Sequence, residues 1–364
     1  MTAAEASLAA EPTPRTPAAE IHRFIRDAFG KIGVPESDCE TIARLMTRAD
    51  LTGADAHGVF RMPQYIERMK SGGVARDPSI TVERNAPATA LVDGGNGMGH
   101  LVMTKAVDTA VDIAAETGVA WVGVRRSNHA GPAALYVEKP IERGMVGIYA
   151  VVASANHMPI WGGAEMLLGT NPIAFGIPAG EEPPIVLDIA TSVTSYGNIK
   201  KHVLNNQPLE EGWMVNRETG LPLTDPAEVP LGALLPIGGY KGSGLCLMLG
   251  LLGGPINRAA FGRDVVDFNA DPNSETNTGH FVIVLDVSRF LPLDDFKADI
   301  DRHIRDLRSS RLMPGHDRIR IPGEARVERI TERSEKGVPL SPALLANLDK
   351  LADQLGIAPI GKGG

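Results

Sequence analysis

GVAWVGV at residues 118–124 and GMVGIYAVV at 144–152 are the stretches that decide the fold. Both are short, rich in β-branched and aromatic residues, and begin at a glycine, which is the pattern of strands. TALVDGG at 89–95, PIVLDIA at 184–190 and GHFVIVLD at 279–286 share that pattern. The middle of the chain therefore predicts a sheet domain.

Helical patterns lie on both sides of this sheet. Ile21, Phe24 and Phe29 recur at helical spacing, a second helix is predicted from Glu36 to Asp50, and the segment from Ser341 to Gly356 begins with a cap and ends with a glycine stop. Helices at both ends of a β-rich middle predict one domain built from both termini, with a second domain inserted into it.

The predicted fold class is therefore α+β, with a sheet domain inserted into a helical domain. We expect residues 1–16 to form a flexible tail, 17–86 and 290–364 to form the helical domain, and 87–289 to form the sheet domain. The apolar run from Lys241 or Gly242 to Leu252 is hydrophobic nearly all round, so a buried helix is predicted over 241–253.

Composition sets limits on function. The chain has 364 residues, 43% of them hydrophobic, and a net charge of −8, which argues against a nucleic-acid-binding protein. Cys39 and Cys246 are far apart, as expected of a reduced, cytoplasmic protein, and no Cys or His spacing predicts a metal site. No stretch is apolar and long enough for a signal peptide or a membrane span, so we expect no membrane partner.

Three neighbouring motifs carry the candidate chemistry: RRSNHAG at 125–131, ASANHMPIWGG at 153–163 and LLGTNPIAF at 167–175. They place two histidines and several amide and hydroxyl groups between apolar flanks. Buried polar groups are costly unless they pair or react. A histidine there can exchange a proton near neutral pH. The sequence therefore predicts the reactive site here.

A second motif, ADAHGVFRMPQY at 54–65, spaces His57, Arg61 and Tyr65 four residues apart, so one helical face would carry all three. An arginine there could hold a carboxylate through two hydrogen bonds. The alternative is a surface ion pair of Arg61 with Glu67 or Glu138.

Two further motifs are suited to a nucleotide. Asp188 opens DIATSVTSYG at the end of an apolar strand, where a carboxylate can bind a ribose, orient a histidine or cap a turn. LLPIGGYKGSG at 234–244 places Lys241 before a helix, and helix N-termini attract phosphate. The glycines of DGGNGMGH at 93–100 do not match the G-x-G-x-x-G spacing of a Rossmann nucleotide site.

Taken in order, these motifs resemble the type-2 malate/L-lactate dehydrogenase family, from about Ala18 to about Leu355. Relatives in that family act on ureidoglycolate, sulfolactate, diketogulonate and cyclic imino acids. The resemblance implies a non-Rossmann sheet domain that binds NAD or NADP. It also implies a homodimer with the active site between domains.

The resemblance assigns the proton exchange to His129 and the carboxylate clamp to Arg61. His57 is a rival proton donor, a substrate-orienting group or a structural residue, and Ala56 replaces the serine that relatives carry before it. The resemblance also implies that Asp188 lies near the cofactor and pairs with a catalytic histidine. The other expected substrate contacts are Tyr65, Asn128, His157, Thr170 and Asn171. The expected cofactor contacts are Ser154, Asp188, Ile189, Ala190, Tyr240, Lys241, Pro322, Gly323 and Glu324.

The predicted function is an NAD(P)-dependent oxidoreductase that acts on a small 2-hydroxy or 2-oxo acid, with a small carboxylate as its substrate. A reductase of cyclic 2-imino acids is the first alternative, because the same groups would hold a carboxylate beside a C=N bond. A catalytically silent binding protein is the second alternative, and Ala56 is its only support.

Overall fold

The computed structural model describes residues 13–361. The helices are α1 (Ala18–Lys31), α2 (Glu36–Thr52), α3 (Met62–Lys70), α4 (Gly99–Thr117), α5 (Leu135–Glu142), α6 (Tyr196–Leu204), α7 (Tyr240–Gly253), α8 (Leu293–Arg308), α9 (Glu324–Lys336) and α10 (Pro342–Leu355). The strands are β1 (Arg15–Thr16), β2 (Thr81–Ala86), β3 (Thr89–Asp93), β4 (Val119–Ser127), β5 (Met145–Val151), β6 (Ile173–Ile177), β7 (Ile185–Ile189), β8 (Met214–Asn216), β9 (Gly232–Leu234), β10 (Thr278–Asp286) and β11 (Val338–Pro339).

The centre of the molecule is a seven-stranded sheet in the order β2-β3-β4-β10-β5-β6-β7. β3 and β4 pair in parallel, and every other neighbouring pair in this sheet is antiparallel. All five predicted strand runs lie in it, and the prediction of a largely antiparallel sheet is confirmed. The late strand β10 inserts between β4 and β5, because its apolar sequence can be buried on both faces.

Helices cover both faces of the sheet. Val102, Met103 and Ala106 of α4 pack with Val122 and other buried strand residues on one face. On the other face, Leu249 of α7 packs with Ala150 and Phe281. The glycine run at 93–100 forms the turn that leads into α4. This layered arrangement fixes the strand ends from which the site residues emerge.

The two ends of the chain meet in a separate apolar core. Phe24 and Phe29 of α1, Met46 of α2 and Leu348 of α10 are all buried in it. Their recurrence at helical spacing gives each helix one apolar stripe, and the stripes pack together.

Three boundaries differ from the sequence prediction. Arg15 and Thr16 are not part of a tail, because they pair with Pro339 and Val338, while residues 1–12 of the predicted tail lie outside the described residues. β2 was assigned to the helical domain but pairs with β3 in the sheet. α8 contacts the loop between β6 and β7, where Asp301 accepts hydrogen bonds from the backbone N–H groups of residues 180–182.

α7 forms where it was predicted, but the expectation that it is buried all round is wrong. Its glycine side packs inward: a Cβ on Gly242 would lie 1.8 Å from the Ile237 carbonyl oxygen. Leu245, Met248 and Leu252, spaced three and four residues apart, form its exposed apolar face, and Met248 is 50% exposed. No described residue of the same chain buries that face. Within residues 13–361, we find no helix with both the length and the apolar character that a membrane span requires.

Candidate active site

A cleft runs between the helical part and the sheet and consists of three connected chambers. The inner chamber, of about 140 Å³, is bounded by Arg61, His157 and Lys200. The middle chamber, of about 300 Å³, shares His57 and His129 with the inner one. The outer chamber, of about 250 Å³, shares Asp188 with the middle one. The cleft therefore joins most of the motifs that the sequence analysis singles out.

A larger groove, of about 570 Å³, lies between α8 and α9. Its arginines are already paired, Arg308 with Glu324 and Arg318 with Glu328. It is open and remote from the histidines, so the cleft is the better candidate site.

His129 lies at the centre of the cleft in a stack of three rings. The His57 ring is 5.2 Å away on one side and the Phe268 ring 4.9 Å away on the other, both nearly parallel to it. The Nδ1 atom lies 2.5 Å from the Tyr65 hydroxyl oxygen and 3.4 Å from the Gly131 amide nitrogen. Described residues make no hydrogen bond to Nε2, so Nε2 is left for a molecule in the cleft.

The loop after β4 explains this position. Asn128 is buried, and its amide nitrogen donates to Asn96 and to the Gly97 carbonyl oxygen. Its oxygen accepts a hydrogen bond from the Thr276 hydroxyl. The Asn128 side chain thus holds the loop, and its contact with substrate stays a prediction that draws no support from these hydrogen bonds.

The segment that carries His57 is not a continuous helix. Two short 3₁₀ turns, Asp55–His57 and Val59–Arg61, precede α3, yet they bring His57 and Arg61 to the same wall. The turns are anchored by Asp50, whose carboxylate accepts the Val59 N–H at 2.9 Å. A Cβ on Gly58 would lie 1.9 Å from that carboxylate, which explains the glycine in the motif.

Both stacked histidines are neutral at pH 7. Burial, with a smaller contribution from Arg61, lowers the pKa of His57 to about 4. Burial and the neighbouring His57 and Arg61 hold the pKa of His129 well below its usual value. Burial raises the pKa of Tyr65, so its phenol keeps its proton and can donate to Nδ1 or accept from it. The pair can therefore place the imidazole proton on either ring nitrogen.

Arg61 is a cation without an acidic partner among residues 13–361. It donates to the Ala56 carbonyl oxygen and to the Gln64 side chain, each at 2.8 Å. The alternative ion pairs are not formed, because Glu138 is bonded to Arg48 and Arg326 and the Glu67 carboxylate accepts a hydrogen bond from Ser71. An arginine placed so is suited to an anionic ligand.

The remaining predicted substrate contacts divide into two groups. His157 lines the inner chamber, where its ring stacks on Tyr196 at 3.8 Å, and Thr170 lines both the inner and the middle chamber. Asn171 does not reach the cleft. It is fully buried and bridges the Ala153 amide and the Cys246 carbonyl oxygen, so its predicted contact with substrate draws no support from this geometry.

Asp188 lines the middle and outer chambers, but its predicted pairing with a histidine is not observed. Its carboxylate accepts the Ala134 N–H at 2.8 Å. The surrounding protein raises its pKa, although part of the side chain is accessible from the cleft, and the Ala134 hydrogen bond opposes that rise. Ser154 and Ala190 also line the cleft, whereas Ile189 packs in the apolar cluster beneath the sheet.

The outer chamber holds two arginines of α9 that the sequence analysis missed, Arg326 and Arg329. Arg326 is bonded to Glu138, while Arg329 makes no ion pair with a described residue. Gly323 borders this chamber with a φ of 101°, a conformation that favours glycine. Arg326 ends the IPGEAR stretch at 321–326 that carries the predicted cofactor contacts Pro322, Gly323 and Glu324, whereas Arg329 lies in no motif.

Four predicted cofactor contacts lie elsewhere. Glu324 is paired with Arg308, and the Pro322 carbonyl accepts a hydrogen bond from Val186, so both have structural roles. Tyr240 and Lys241 lie at the exposed start of α7 and do not line the cleft. The sequence analysis also missed three residues that line the inner chamber: Tyr196, although it lies in the DIATSVTSYG motif, and Lys200 and Phe268, which come from segments without a motif of their own.

The cleft fits a dinucleotide in shape and in chemistry. Its neighbouring chambers share lining residues, and the middle one reaches the stacked histidines. The Nδ1 atom of His57 is buried without a hydrogen-bond partner, which is unusual unless a ligand or water completes the site. Arg329 provides a cation at the opposite end. Among residues 13–361, we find no cluster of His, Cys, Asp and Glu that could hold a metal ion.

Comparison with known proteins agrees with this geometry. Residues 16–349 match the family model described as malate/L-lactate dehydrogenase. Malate dehydrogenase of Pyrococcus horikoshii is 35% identical over 94% of this chain and 96% of its own, and its solved structure superposes with a TM-score of 0.88 over 96% of this chain and 97% of that one. Malate/(S)-sulfolactate dehydrogenase of Methanothermus fervidus is 34% identical over 93% of this chain and 97% of its own. Delta(1)-pyrroline-2-carboxylate reductase of Ancylobacter novellus is 30% identical over 92% and 96%.

Proposed function

The chain belongs to the malate/L-lactate dehydrogenase family, and on that premise we propose how its cleft interconverts a small 2-hydroxy acid and the corresponding 2-oxo acid. It is an oxidoreductase that acts on CH–OH groups and uses a nicotinamide cofactor. The observation that carries the assignment of roles is His129, whose Nδ1 is held by Tyr65 while Nε2 remains available beside the unpaired Arg61.

His129 exchanges the proton in this mechanism. In the oxidation direction, Nε2 takes the hydroxyl proton while the substrate C2–H bond breaks, and its hydrogen leaves as hydride. The nicotinamide ring of the bound cofactor supplies the hydride acceptor. In the reduction direction, Nε2–H returns the proton to the oxygen of the 2-oxo acid. Because both histidines are neutral at pH 7, His129 can serve as the base.

Arg61 orients the acid in the inner chamber. Its guanidinium would bind the substrate carboxylate, which fixes C2 relative to His129. The stack between His57 and Phe268 holds the imidazole plane, so the proton is transferred along one direction. His57, neutral and lacking a partner for Nδ1, would orient the substrate or cofactor from the shared wall.

The cofactor would lie along the middle and outer chambers. Ser154, Thr170 and Ala190 border the part next to His129, where the nicotinamide must lie for hydride transfer. Asp188 is suited to ribose hydroxyls, and Arg329 to a phosphate, in the outer part. The cofactor is NAD or NADP. The prediction that Tyr240 and Lys241 bind the cofactor draws no support from this cleft, because neither residue lines it.

A homodimer is supported by the outer face of α7. Leu245, Met248 and Leu252 expose a row of apolar side chains, and Ile256, just beyond the helix, is 60% exposed. Exposed apolar patches of this kind mark interfaces. A second copy would cover this face, and Met248→Lys should then lower the mass measured by sedimentation equilibrium. We also propose the cytoplasm as its compartment, which agrees with two buried free cysteines.

The proposed function is tested with the purified protein, NADH or NADPH, and a panel of small 2-oxo acids and cyclic 2-imino acids. Cofactor oxidation that depends on a 2-oxo acid is expected, as is formation of the 2-hydroxy acid. Turnover restricted to pyrroline- or piperideine-carboxylates would replace the proposal with the imine reductase. Cofactor binding without turnover of either class would overturn both.

A further inference from the structure

A buried arginine of α3, Arg68, lies behind the wall of the cleft. Its side chain is 2% exposed, and it forms no ion pair with a described residue. Its guanidinium donates instead to four backbone carbonyl oxygens: those of Gly73 at 3.3 Å, Phe268 at 3.5 Å, Ser274 at 2.8 Å, and Asp271. A buried charge is costly unless hydrogen bonds compensate it, so Arg68 depends on these carbonyl groups being in place.

Three of the four carbonyl groups belong to one segment, residues 268–274, which we call the Phe268 loop. Arg68 therefore ties this loop to α3. A second side chain of α3, Gln64, donates to the same Phe268 carbonyl oxygen at 3.0 Å, and the Phe268 N–H donates to the Ser154 carbonyl oxygen at 3.1 Å. Both backbone groups of Phe268 are thus held, which fixes where its side chain begins.

The ring of Phe268 contacts both groups to which the proposed reaction assigns chemistry. It stacks on the His129 ring, with 4.9 Å between the ring centres and 6° between the planes. The guanidinium carbon of Arg61 lies 5.3 Å from the centre of the same ring. An aromatic face attracts a cation, so the ring favours one position of that guanidinium. Phe268 therefore links the proton-exchanging group to the carboxylate clamp.

The space behind this ring leaves no room for bulk water. The void that Arg68, Met98, His129 and Phe268 enclose measures about 10 Å³. A cavity needs roughly 10 to 15 Å³ to hold a single water molecule. If Arg68 no longer bound the loop carbonyl groups, they would have to move towards solvent to find other donors, and they would carry the ring of Phe268 with them.

We propose that Arg68 is a positioning residue: by seating Phe268, it fixes His129 and Arg61 relative to each other, so that an acid bound by Arg61 presents C2 to Nε2 of His129. This inference rests on the proposed function and adds to it a residue that lines none of the three chambers. A displacement of about 1 Å in an active site can cost on the order of 10²-fold in rate, so an indirect role can be large.

The test is a double-mutant cycle of Arg68→Lys and Phe268→Leu, measured with the 2-oxo acid that the wild-type protein reduces best. Lysine keeps the buried charge but cannot reach as many carbonyl oxygens. Leucine removes the ring and keeps the carbonyl group. Each single variant should lower kcat/KM for the acid by about tenfold and leave the cofactor dissociation constant unchanged. Because both changes act through one ring, the double variant should also lose about tenfold, whereas independent sites would lose about a hundredfold.

The matched control is Arg76→Lys. Arg76 donates to the Met69 carbonyl oxygen of the same helix at 3.2 Å and makes no hydrogen bond to residues 268–274, so kcat/KM should stay unchanged. Hydrogen exchange followed by mass spectrometry checks the loop without turnover. The amides of the Phe268 loop should exchange faster in Arg68→Lys than in the wild type, and at the wild-type rate in Arg76→Lys.

The outcomes separate this inference from the proposed function. Wild-type kcat/KM in Arg68→Lys, unchanged exchange in the Phe268 loop, or losses that multiply in the double variant would overturn the positioning role while the oxidoreductase function stands. Near-normal kcat/KM in Phe268→Leu would overturn it as well, even if Arg68→Lys does not fold. If the wild-type protein reduces no 2-oxo acid, the proposed function fails and the positioning role fails with it.

Discussion

The inner and outer chambers of the cleft each contain two cationic side chains, but the partners of these side chains differ between the two chambers. In the inner chamber, Arg61 and Lys200 are bonded only to neutral oxygen atoms. In the outer chamber, Arg326 is paired with Glu138, and the carboxylate of Asp188 lies at the same wall. Positive charge is left uncompensated at one end of the cleft and largely compensated at the other.

This difference indicates that the two chambers bind different kinds of ligand. A chamber with uncompensated cations favours a ligand that brings negative charge close to each of them. A chamber with both signs of charge suits a ligand with hydroxyl donors and a phosphate, as in the nucleotide part of a dinucleotide. Changes at the inner end should therefore alter the use of the acid, and changes at the outer end should alter cofactor affinity.

The largest effect is expected from His129→Ala at the wall that the inner and middle chambers share. Loss of the proton-exchanging group should lower kcat by roughly 10²- to 10⁴-fold while leaving the cofactor dissociation constant nearly unchanged. Stopped-flow turnover and cofactor fluorescence titration measure the two quantities. An equal loss in His57→Ala would indicate that both histidines take part, and near-normal turnover in His129→Ala would refute the assignment.

Arg61→Ala should come next. Removing one partner of a charge-assisted contact costs roughly 2 to 5 kcal/mol, so kcat/KM for acids should fall by at least about 30-fold. Arg61→Lys should lose less because it keeps the charge but not the two-pronged geometry. Amide analogues of the acids serve as the control substrates. If acids and amides lose equally, Arg61 is a structural residue that holds the Ala56 carbonyl.

Acid should destabilise the fold around the inner chamber more than around the outer chamber. The buried, uncharged histidines of the cleft lie at or next to the inner chamber. His100, beneath Tyr65, is fully buried with both ring nitrogens unpartnered, and burial lowers its pKa to about 3. The unfolded chain binds that proton near pH 6.5, so this contribution to stability is complete above pH 6.5 and is lost as the pH falls towards 3.

Between pH 7 and pH 4, one such histidine lowers the free energy of unfolding by about 3 kcal/mol. Urea unfolding at both pH values should therefore show a smaller acid loss in His100→Gln than in the wild type. His316→Gln, an exposed position, is the control. The same acid loss in His100→Gln and wild type would show that His100 is not the group responsible.

A smaller effect is expected at the outer end from Arg329→Ala. Loss of an accessible phosphate contact should weaken cofactor binding by roughly tenfold and leave the KM of the acid unchanged. Comparing NAD(H) with NADP(H) shows whether Arg329 meets the phosphate that only NADP carries. Arg302→Ala, an exposed arginine of α8, is the control. A change in acid KM without a change in cofactor affinity would remove the distinction between the two ends.

The smallest effect is expected from Ala56→Ser. Position 56 lines the inner chamber, and relatives carry a hydroxyl there according to the motif resemblance. A new hydrogen bond is worth on the order of 1 kcal/mol, so the ranking of 2-oxo acids should change by several-fold. An unchanged ranking across acids of different size and polarity would show that this side chain does not contact the substrate.

The sequence predicted the strands and helices well because their apolar residues follow regular periods. It predicted the convergence of His57, Arg61 and Tyr65 for a reason that is only partly right, since the segment is two 3₁₀ turns followed by a helix. The positions of the three residues depend on Asp50, a buried carboxylate whose partner is a backbone N–H nine residues away. That kind of anchoring has no periodic signal.

Two residues that their motifs predict as substrate contacts share one property in the structure. Asn128 and Asn171 lie in motifs beside reactive residues, but their amide groups are used entirely within the protein. Phe268 was missed because an aromatic residue in a loop indicates packing, and its stack with His129 joins segments far apart in the chain. Polar type and motif membership thus identify the region of the site, while the partner of each side chain requires the tertiary structure.

The exposed apolar face of α7 has a consequence for biosynthesis. The exposed face of α7 does not line the cleft, so its exposure does not depend on what the cleft binds. A newly made chain therefore exposes Leu245, Met248 and Leu252 as soon as it has folded. If a second copy covers this face, as proposed above, the face can associate with other apolar surfaces until that copy binds. The yield of active enzyme on overexpression would therefore depend on how fast chains meet, and slower synthesis would not improve it unless chaperones shield the face.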